Sequence, residues 1–317
     1  MAELLVVELL GGIGDTLLAL PAVHAIARAH PADSLRLVTF QPADELVRGD
    51  PLVAEVVGVP AGADARAAVA AQLDRVPPDV AVSTTTHSGI GELLRARVPS
   101  TVTDLWRSPP AGEQVGERFV RLLAAAGLVP VPDQAALRPR LHLAAEEVAA
   151  ARPMLPETGA LVLVPATGMA VKRWPGSRWQ ALAAGWPRPV VSVAERVPGA
   201  RLLPALSLRG LAALLAVAAE RGGVCVGVDT GPLRLASSVG CPAVALHGPT
   251  VAGRYGLNGP ADRSPQGLPG CPVRVPADFT TQECWWDAGC PLAATPACMA
   301  DLAVDAVLAA AQLASAR

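Results

Sequence analysis

The segment Val6–His30, "VVELLGGIGDTLLALPAVHAIARAH", decides the fold because it changes from a strand pattern to a helix pattern across a cluster of glycines. The apolar residues before Gly11 predict a buried β-strand, and the residues from Asp15 to about Ala29 predict a helix. A strand, a glycine turn and a helix in this order are typical of a parallel α/β sheet, which binds ligands at the carboxyl ends of its strands.

Asp15 lies at the predicted start of this helix, where free N–H groups and the helix dipole stabilise an anion. It has two interpretations: an ordinary helix cap, or a general base that takes a proton from a bound ligand. Gly11, Gly12 and Gly14 let a ligand approach the backbone. Their spacing, G-G-x-G-D, differs from the dinucleotide fingerprint G-x-G-x-x-G, so the sequence disfavours a nicotinamide-dependent oxidoreductase.

The rest of the chain repeats this rhythm of short buried runs and helical stretches, which predicts parallel sheets covered on both faces. A proline-containing stretch that begins at Leu137 interrupts the pattern and predicts an interdomain connection. We therefore expect an α/β fold of the GT-B kind, with two Rossmann-like doubly wound domains, residues 1–150 and 151–317, facing each other across a cleft. The tail from Asp301 predicts a C-terminal helix.

Composition narrows the class of protein. The 317 residues carry a net charge of -2 and only 3% aromatic side chains, which disfavours nucleic-acid binding. The N-terminus lacks the charged and apolar regions of a signal peptide, and no apolar run approaches the roughly 18 residues that span a bilayer. We expect a cytoplasmic protein with at most peripheral membrane association.

Four of the six cysteines, Cys271, Cys284, Cys290 and Cys298, fall near the end of the chain. Their gaps lack the C-x2-4-C knuckle of most structural zinc sites. Free thiols are the favoured interpretation, and a disulfide pair or a zinc site is the alternative.

Two further motifs follow predicted strands of the second half. In "VPATGMAVKRWP", Thr167 and the cations Lys172 and Arg173 lie in a loop suited to phosphate binding, although a solvated pair of cations would look the same. In "VCVGVDTGPLRLA", Asp229 precedes a predicted helix that opens at Thr230, Gly231 and Pro232. The N–H groups of its first turn, through Leu233 and Arg234, can hold an anion such as pyrophosphate. Asp229 itself could be a structural cap instead.

Taken together, these motifs resemble glycosyltransferase family 9, the family of the ADP-heptose:lipopolysaccharide heptosyltransferases. The family's G-x-G-D-x-L-x-x-x-P is met by "GIGDTLLALPA", its P-G-x-x-x-x-K-x-W-P by "VPATGMAVKRWP", and its D-T-G-x-x-H-x-A with F-G-P-T by "DTGPLRLA" and "ALHGPT". A tail resembling C-M-x-D-L is present as "CMADL". The resemblance spans nearly the whole chain.

The resemblance implies an inverting glycosyltransferase without a bound metal. The sequence contains no D-x-D to hold a divalent ion, so Lys172 and the helix start at Thr230–Leu233 are the groups expected to neutralise the leaving diphosphate. Asp15 is implied as the general base, Asp229 as a contact of the donor sugar's hydroxyls, Thr167 as a phosphate contact and Glu195 as a ribose contact. On the acceptor side we expect Gly12, Gly14, Thr85 and His87.

Four positions depart from the family pattern: Glu8 replaces an Arg before the glycines, Arg234 replaces a His, His247 replaces a Phe, and Ala166 replaces a Gly. A carboxylate of the acceptor or of the protein is expected to balance Arg234.

The expected function is transfer of a sugar, heptose above all, from a nucleotide diphosphate donor such as ADP-heptose to a hydroxyl of a glycan, lipid-linked or small-molecule natural-product acceptor. No cofactor is expected. The alternative is a catalytically inactive protein of the same fold that binds nucleotide sugars, which the changes at Glu8 and Arg234 favour.

Overall fold

The computed structural model describes residues 1–106, 112–131, 133, 137–286 and 289–316. The chain divides into two compact units: unit 1, Met1–Pro109 with Val115–His142, and unit 2, Pro110–Gln114 with Leu143–Arg317. The boundary between the units therefore lies at His142, earlier than residue 150. The short charged helix of the connection, Ala145–Ala151, packs on a helix of unit 2.

Unit 1 is a five-stranded parallel sheet of order β3-β2-β1-β4-β5. Its strands are β1 (Glu3–Glu8), β2 (Ser34–Phe40), β3 (Glu55–Val59), β4 (Val80–Ser83) and β5 (Ser100–Val102). Its helices are α1 (Ile13–Ala29), α2 (Asp44–Val47), α3 (Ala65–Arg75), α4 (Ile90–Arg97) and α5 (Val115–Ala125). The apolar runs read from the sequence form these strands. The residues of β1, β2 and β4 are largely buried, whereas most residues of β3 and β5 are only partly buried.

Unit 2 repeats the same topology with a sheet of order β10-β9-β6-β7-β8, also parallel throughout. Its strands are β6 (Leu161–Val164), β7 (Val190–Ser192), β8 (Arg201–Leu202), β9 (Val224–Val228) and β10 (Ala243–Leu246). Its helices are α6 (Ala145–Ala151), α7 (Gly176–Gly185), α8 (Leu208–Glu220), α9 (Gly231–Ser238), α10 (Ala252–Tyr255), α11 (Glu283–Trp286), α12 (Ala297–Asp301) and α13 (Val304–Ser315).

The differences from the sequence prediction lie at the ends of elements. Helix α1 begins at Ile13 and not at Asp15, because Gly12 adopts the extended N-cap conformation. The expected C-terminal helix begins at Val304 and not at Asp301, because Asp301 ends the short helix α12 and the next two residues are extended. Strand β8 consists of two exposed residues, so it has no apolar run from which the sequence could predict it. None of the described helices is long and apolar enough to cross a bilayer.

Candidate functional site

The turn after β1 fixes the carboxylate of Asp15. Asp15 is the third residue of α1, and its Oδ2 accepts a hydrogen bond from the backbone N–H of Gly12 at 2.8 Å, which caps the helix from inside its first turn. A Cβ at Gly11 would lie 3.3 Å from the same oxygen, closer than side chains normally pack. Glycine at this position therefore leaves room for the carboxylate.

Beside Asp15, the carboxyl group of Glu8 is buried at the end of β1. Thr16 and Thr39 both lie within hydrogen-bond distance of its Oε2, at 2.6 and 2.9 Å, and their hydroxyls lie 2.8 Å from each other. Each threonine hydroxyl has one proton to donate, and either can donate it to Glu8 Oε2. The triangle of contacts has room for one further proton, which Glu8 carries in its neutral form.

The electrostatics agree with this proton count. Burial raises the pKa of Glu8 to about 7, and the negative charge of Asp15 adds to the increase, while hydrogen bonds from Thr16, the Leu10 N–H and Thr39 oppose it. Glu8 stands where the family pattern has an Arg. When Glu8 is protonated, the repulsion between its carboxyl group and the carboxylate of Asp15 is removed.

The loop after β4 lies at the same edge of the sheet, because Val7 of β1 pairs with Ser83 of β4. Of the two residues expected there on the acceptor side, Thr85 is buried, and its hydroxyl accepts a hydrogen bond from the His87 N–H at 3.4 Å. The side chain of His87 is exposed, with its Nδ1 3.0 Å from the Ser88 hydroxyl. His87 is therefore the one of the pair whose side chain solvent can reach.

In unit 2, Asp229 follows β9 directly and is the centre of a buried ionic cluster. Its Oδ1 accepts a hydrogen bond from Arg234 at 2.7 Å, and its Oδ2 accepts one from the Thr250 hydroxyl at 2.8 Å. Lys172 donates to the Asp229 carbonyl oxygen at 2.9 Å and lies 3.4 Å from Oδ2. Asp229 is thus the carboxylate that balances Arg234, and both of its oxygens already have protein partners.

The charge state of Asp229 is the reverse of that of Glu8. Burial alone would raise the pKa of the Asp229 carboxyl, but Lys172 and Arg234 outweigh it and hold the pKa far below its usual range. His247 lies 3.8 Å from the same carboxylate, and burial lowers its pKa to about 4, so it is neutral. Two cations therefore share one carboxylate, which leaves a local excess of positive charge.

This excess lies at the start of α9. Thr230 is the N-cap, Gly231 is the first helical residue, and Pro232 is the second. The Thr230 hydroxyl donates to the Val228 carbonyl at 3.2 Å and does not cap the helix, so the N–H groups of the first turn receive no bond from that side chain. Leu233, the next residue, is buried against the core. A helix N-terminus beside two cations suits a phosphate group.

The two cationic side chains of the loop after β6, Lys172 and Arg173, lie in different surroundings. Lys172 joins the Asp229 cluster, with its Nζ 5.2 Å from the centre of the Trp285 ring. Arg173 instead lines a cavity of about 350 Å³, together with Glu195, Trp174 and Trp179. Trp174 is a structural residue, because its indole N–H donates to the Leu302 carbonyl at 3.0 Å. The Thr167 hydroxyl accepts from the Met169 N–H at 3.1 Å in the same loop.

Sequence reasoning missed the groups that hold these residues in place, namely Thr16 and Thr39 around Glu8, and Thr250 and Trp285 around Asp229 and Lys172. Thr250 falls within the "HGPT" motif, which was the available signal for it. All six cysteines are free thiols. Burial raises the pKa of the Cys298 thiol to about 11, so this thiol is protonated at neutral pH.

Comparison with known proteins agrees with the family resemblance of the sequence motifs. Residues 190–266 match the sequence profile of "Glycosyltransferase family 9 (heptosyltransferase)". The chain is 35% identical to "Lipopolysaccharide heptosyltransferase 1" of Pseudomonas aeruginosa over 164 residues, which are 47% of this chain and 43% of that protein. The matched region thus spans less than half of the relative's length.

Two solved structures resemble the fold over nearly the whole chain. The glycosyl transferase family 9 protein of Veillonella parvula has a TM-score of 0.74 at 14% identity, covering 99% of this chain and 97% of its own. The ADP-heptose lps heptosyltransferase II of E. coli has a TM-score of 0.71 at 17% identity, covering 99% and 98%. The chain therefore has the two-domain GT-B fold, and the resemblance to glycosyltransferase family 9 is confirmed.

Proposed function

We propose that this protein is a glycosyltransferase that moves a heptose from ADP-heptose to an acceptor hydroxyl. The observation that carries the proposal is the cluster at the start of α9, where Lys172 and Arg234 share one carboxylate and the Thr230 side chain does not cap the first turn of the helix. A leaving diphosphate develops negative charge as the sugar departs, and such a cluster stabilises that charge. Relatives named as heptosyltransferases, one of them for ADP-heptose, support the choice of donor.

In the proposed mechanism Asp15 is the general base. Its carboxylate accepts the proton of the acceptor hydroxyl while that oxygen bonds to the anomeric carbon, the bond to the diphosphate breaks, and the configuration inverts. The raised pKa of Glu8 supports this role, because a proton on Glu8 leaves the negative charge of the pair on Asp15. Lys172 and the first-turn N–H groups of α9, from Thr230 to Leu233, take the charge of the leaving group without a metal ion.

The remaining donor contacts follow from the cavity beside α7. Glu195 follows β7, the second strand of its unit, at the position where dinucleotide-binding folds place the acid that binds ribose. Glu195 is proposed to bind the ribose and Thr167 a phosphate. Asp229 acts on the donor through Lys172, because its own oxygens are occupied. On the acceptor side, Gly12, Gly14, Thr85 and His87 remain the proposed lining.

Donor choice is tested by thermal stabilisation with ADP, GDP, UDP and dTDP, since a ligand at 100 times its dissociation constant adds about 2.7 kcal/mol to the stability. ADP is expected to stabilise the protein most, and Lys172→Ala is expected to reduce the effect. Equal stabilisation by all four nucleotides would contradict the assignment of ADP.

A second measurement distinguishes the proposed transferase from the alternative, a protein that binds nucleotide sugars without transferring them. Wild-type protein, ADP-heptose and a panel of glycan and small-molecule acceptors are incubated, and ADP release and glycosylated product are measured by mass spectrometry. Acceptor-dependent ADP release supports transfer. Tight ADP-heptose binding with no product on any acceptor favours the alternative, which the replacement of the family's Arg by Glu8 motivates.

A further inference from the structure

Unit 1 contains a second cluster of polar groups that the proposed reaction does not use. His24 lies in α1, Asp50 follows the short helix α2, and His142 is the last residue of the unit. One ligand atom from each of these three side chains lies within 4.8 Å of the others. Residues distant in sequence thus bring two imidazoles and one carboxylate to a single point.

The geometry is that of a set of metal ligands. His24 Nε2 lies 2.8 Å from Asp50 Oδ2, and His142 Nε2 lies 3.8 Å from Asp50 Oδ1. Donor atoms around a tetrahedral Zn²⁺ with bonds of about 2.0–2.1 Å are about 3.3 Å apart, so the two separations fall on either side of this value. The rings of the two histidines stand edge to face, with centroids 6.1 Å apart.

Burial and charge also suit a cation. The side chains of His24 and Asp50 are 1% and 3% exposed, whereas that of His142 is 41% exposed. The Asp50 carboxylate lies within hydrogen-bond distance of His24 Nε2 and of the Leu52 N–H, at 2.8 and 2.9 Å. The Leu52 N–H, 2.9 Å from Oδ1, also fixes the orientation of the carboxylate.

His24 and Asp50 lie within hydrogen-bond distance of each other, and His142 brings a third ligand atom to them, its Nε2 at 3.8 Å from Asp50 Oδ1. We propose that His24 Nε2, Asp50 Oδ2 and His142 Nε2 bind a divalent transition-metal ion of the zinc class. Water completes the coordination on the exposed side of His142, and His24 binds with its remaining proton on Nδ1.

The bound ion would tie the end of unit 1 to α1 and to the segment after α2. The proposal concerns a site separate from the sugar transfer and does not depend on it. It also differs from the expectation that the protein binds no metal. That expectation rested on the missing D-x-D and on the family resemblance, and neither concerns ligands that are distant in sequence.

The site is tested with Zn²⁺ and Co²⁺ on the full chain after removal of metals by a chelator. Calorimetry of wild-type protein is expected to show one equivalent of Zn²⁺ that His142→Ala binds at least tenfold more weakly, together with a Zn²⁺-dependent rise in Tm that the variant lacks. His142 is the exposed ligand, so its removal perturbs folding least. His87→Ala, which removes an exposed imidazole elsewhere in the unit, is the matched control and should bind as wild type does.

Co²⁺ separates this site from the cysteines. Binding by nitrogen and oxygen ligands gives visible absorption without a thiolate charge-transfer band, and Asp50→Asn should abolish that absorption. Equal Zn²⁺ binding by wild type and His142→Ala, or a Co²⁺ spectrum dominated by thiolate and unchanged in the variant, would overturn the proposal. If Asp50→Asn fails to fold, His142→Ala alone decides the outcome.

Discussion

The two units have the same strand order, yet a buried acid at the end of β1 in unit 1 and one at the end of β9 in unit 2 have opposite charge states. Glu8, the last residue of β1, is surrounded by two hydroxyls and an anion, and it keeps its proton up to about pH 7. Asp229, the first residue after β9, is surrounded by two cations and stays ionised. Both side chains are buried. Burial raises the pKa of both acids, and the comparison shows that their neighbours decide whether that increase persists.

The same difference separates the proposed roles of the two units. In unit 1 the raised pKa of Glu8 favours its protonated form, which leaves Asp15 to carry the negative charge that a base requires. In unit 2 the ionised Asp229 keeps Lys172 and Arg234 in place for a phosphate. The predictions below alter one charge state at a time, from the largest expected effect to the smallest.

Asp15→Asn removes the proposed base while its side-chain oxygen can still accept the hydrogen bond from Gly12. We expect the rate of transfer to fall by about 10²–10⁴-fold, the usual contribution of general base catalysis. The rate is measured as acceptor-dependent ADP release. ADP affinity, measured by calorimetry, should be unchanged because the donor groups belong to unit 2. Full activity in this variant would exclude Asp15 as the base.

Asp229→Asn removes the negative charge of the unit 2 cluster and leaves Lys172 and Arg234 without their counter-ion. Breaking a buried ion pair costs about 3–5 kcal/mol, so the free energy of unfolding of unit 2 should fall by about that amount, measured by urea denaturation. The control is Asp305→Asn, an exposed change in the first turn of α13, which should have little effect. Equal stability of the two variants would show that the cluster contributes no net energy.

Glu8→Gln imitates the protonated acid of unit 1 and tests its charge state. Wild-type Glu8 stabilises the fold fully below its ordinary pKa of 4.5, and this stability is lost as the pH rises to about 7, because the folded state holds a proton that the unfolded state releases. From pH 4.5 to 7.5 the wild type should therefore lose on the order of 3 kcal/mol relative to Glu8→Gln.

At each pH, the free energy of unfolding of Glu8→Gln is subtracted from that of the wild type. The subtraction is needed because His247 of unit 2 gives both proteins a pH dependence of stability that is opposite to that of Glu8. The lowered pKa of His247, about 4, contributes stability that is present above pH 6.5 and is lost as the pH falls towards 4. Urea denaturation across this pH range measures both proteins, and Glu92→Gln, an exposed change in α4, is the control. A pH-independent difference between wild type and Glu8→Gln would mean that Glu8 is ionised in the folded protein.

Glu195→Gln alters a group at the rim of the unit 2 cavity and should have the smallest effect. If Glu195 accepts hydrogen bonds from ribose hydroxyls, its neutralisation should weaken ADP binding by several-fold, about 1 kcal/mol, because a bond to a charged group is replaced by one to a neutral group. Calorimetry with ADP measures the change, and inorganic pyrophosphate, which has no ribose, should bind equally well to both proteins. An equal loss for both ligands would contradict the ribose assignment.

The sequence by itself determined the alternation of strands and helices, the two sheets, and the positions of Asp15, Lys172 and Asp229 at strand or helix ends. These follow from local patterns of apolar residues, glycines and prolines, which act over a few residues. The tertiary structure decided which charges are paired. The surroundings of the Glu8 carboxyl include Thr39 of a neighbouring strand. The oxygens of Asp229 are hydrogen-bonded by Thr250 and Lys172, which come from other segments of unit 2. His24, Asp50 and His142 come together from three distant segments of unit 1. Such electrostatic energies depend on distances and burial in three dimensions, and no local pattern in the chain encodes them.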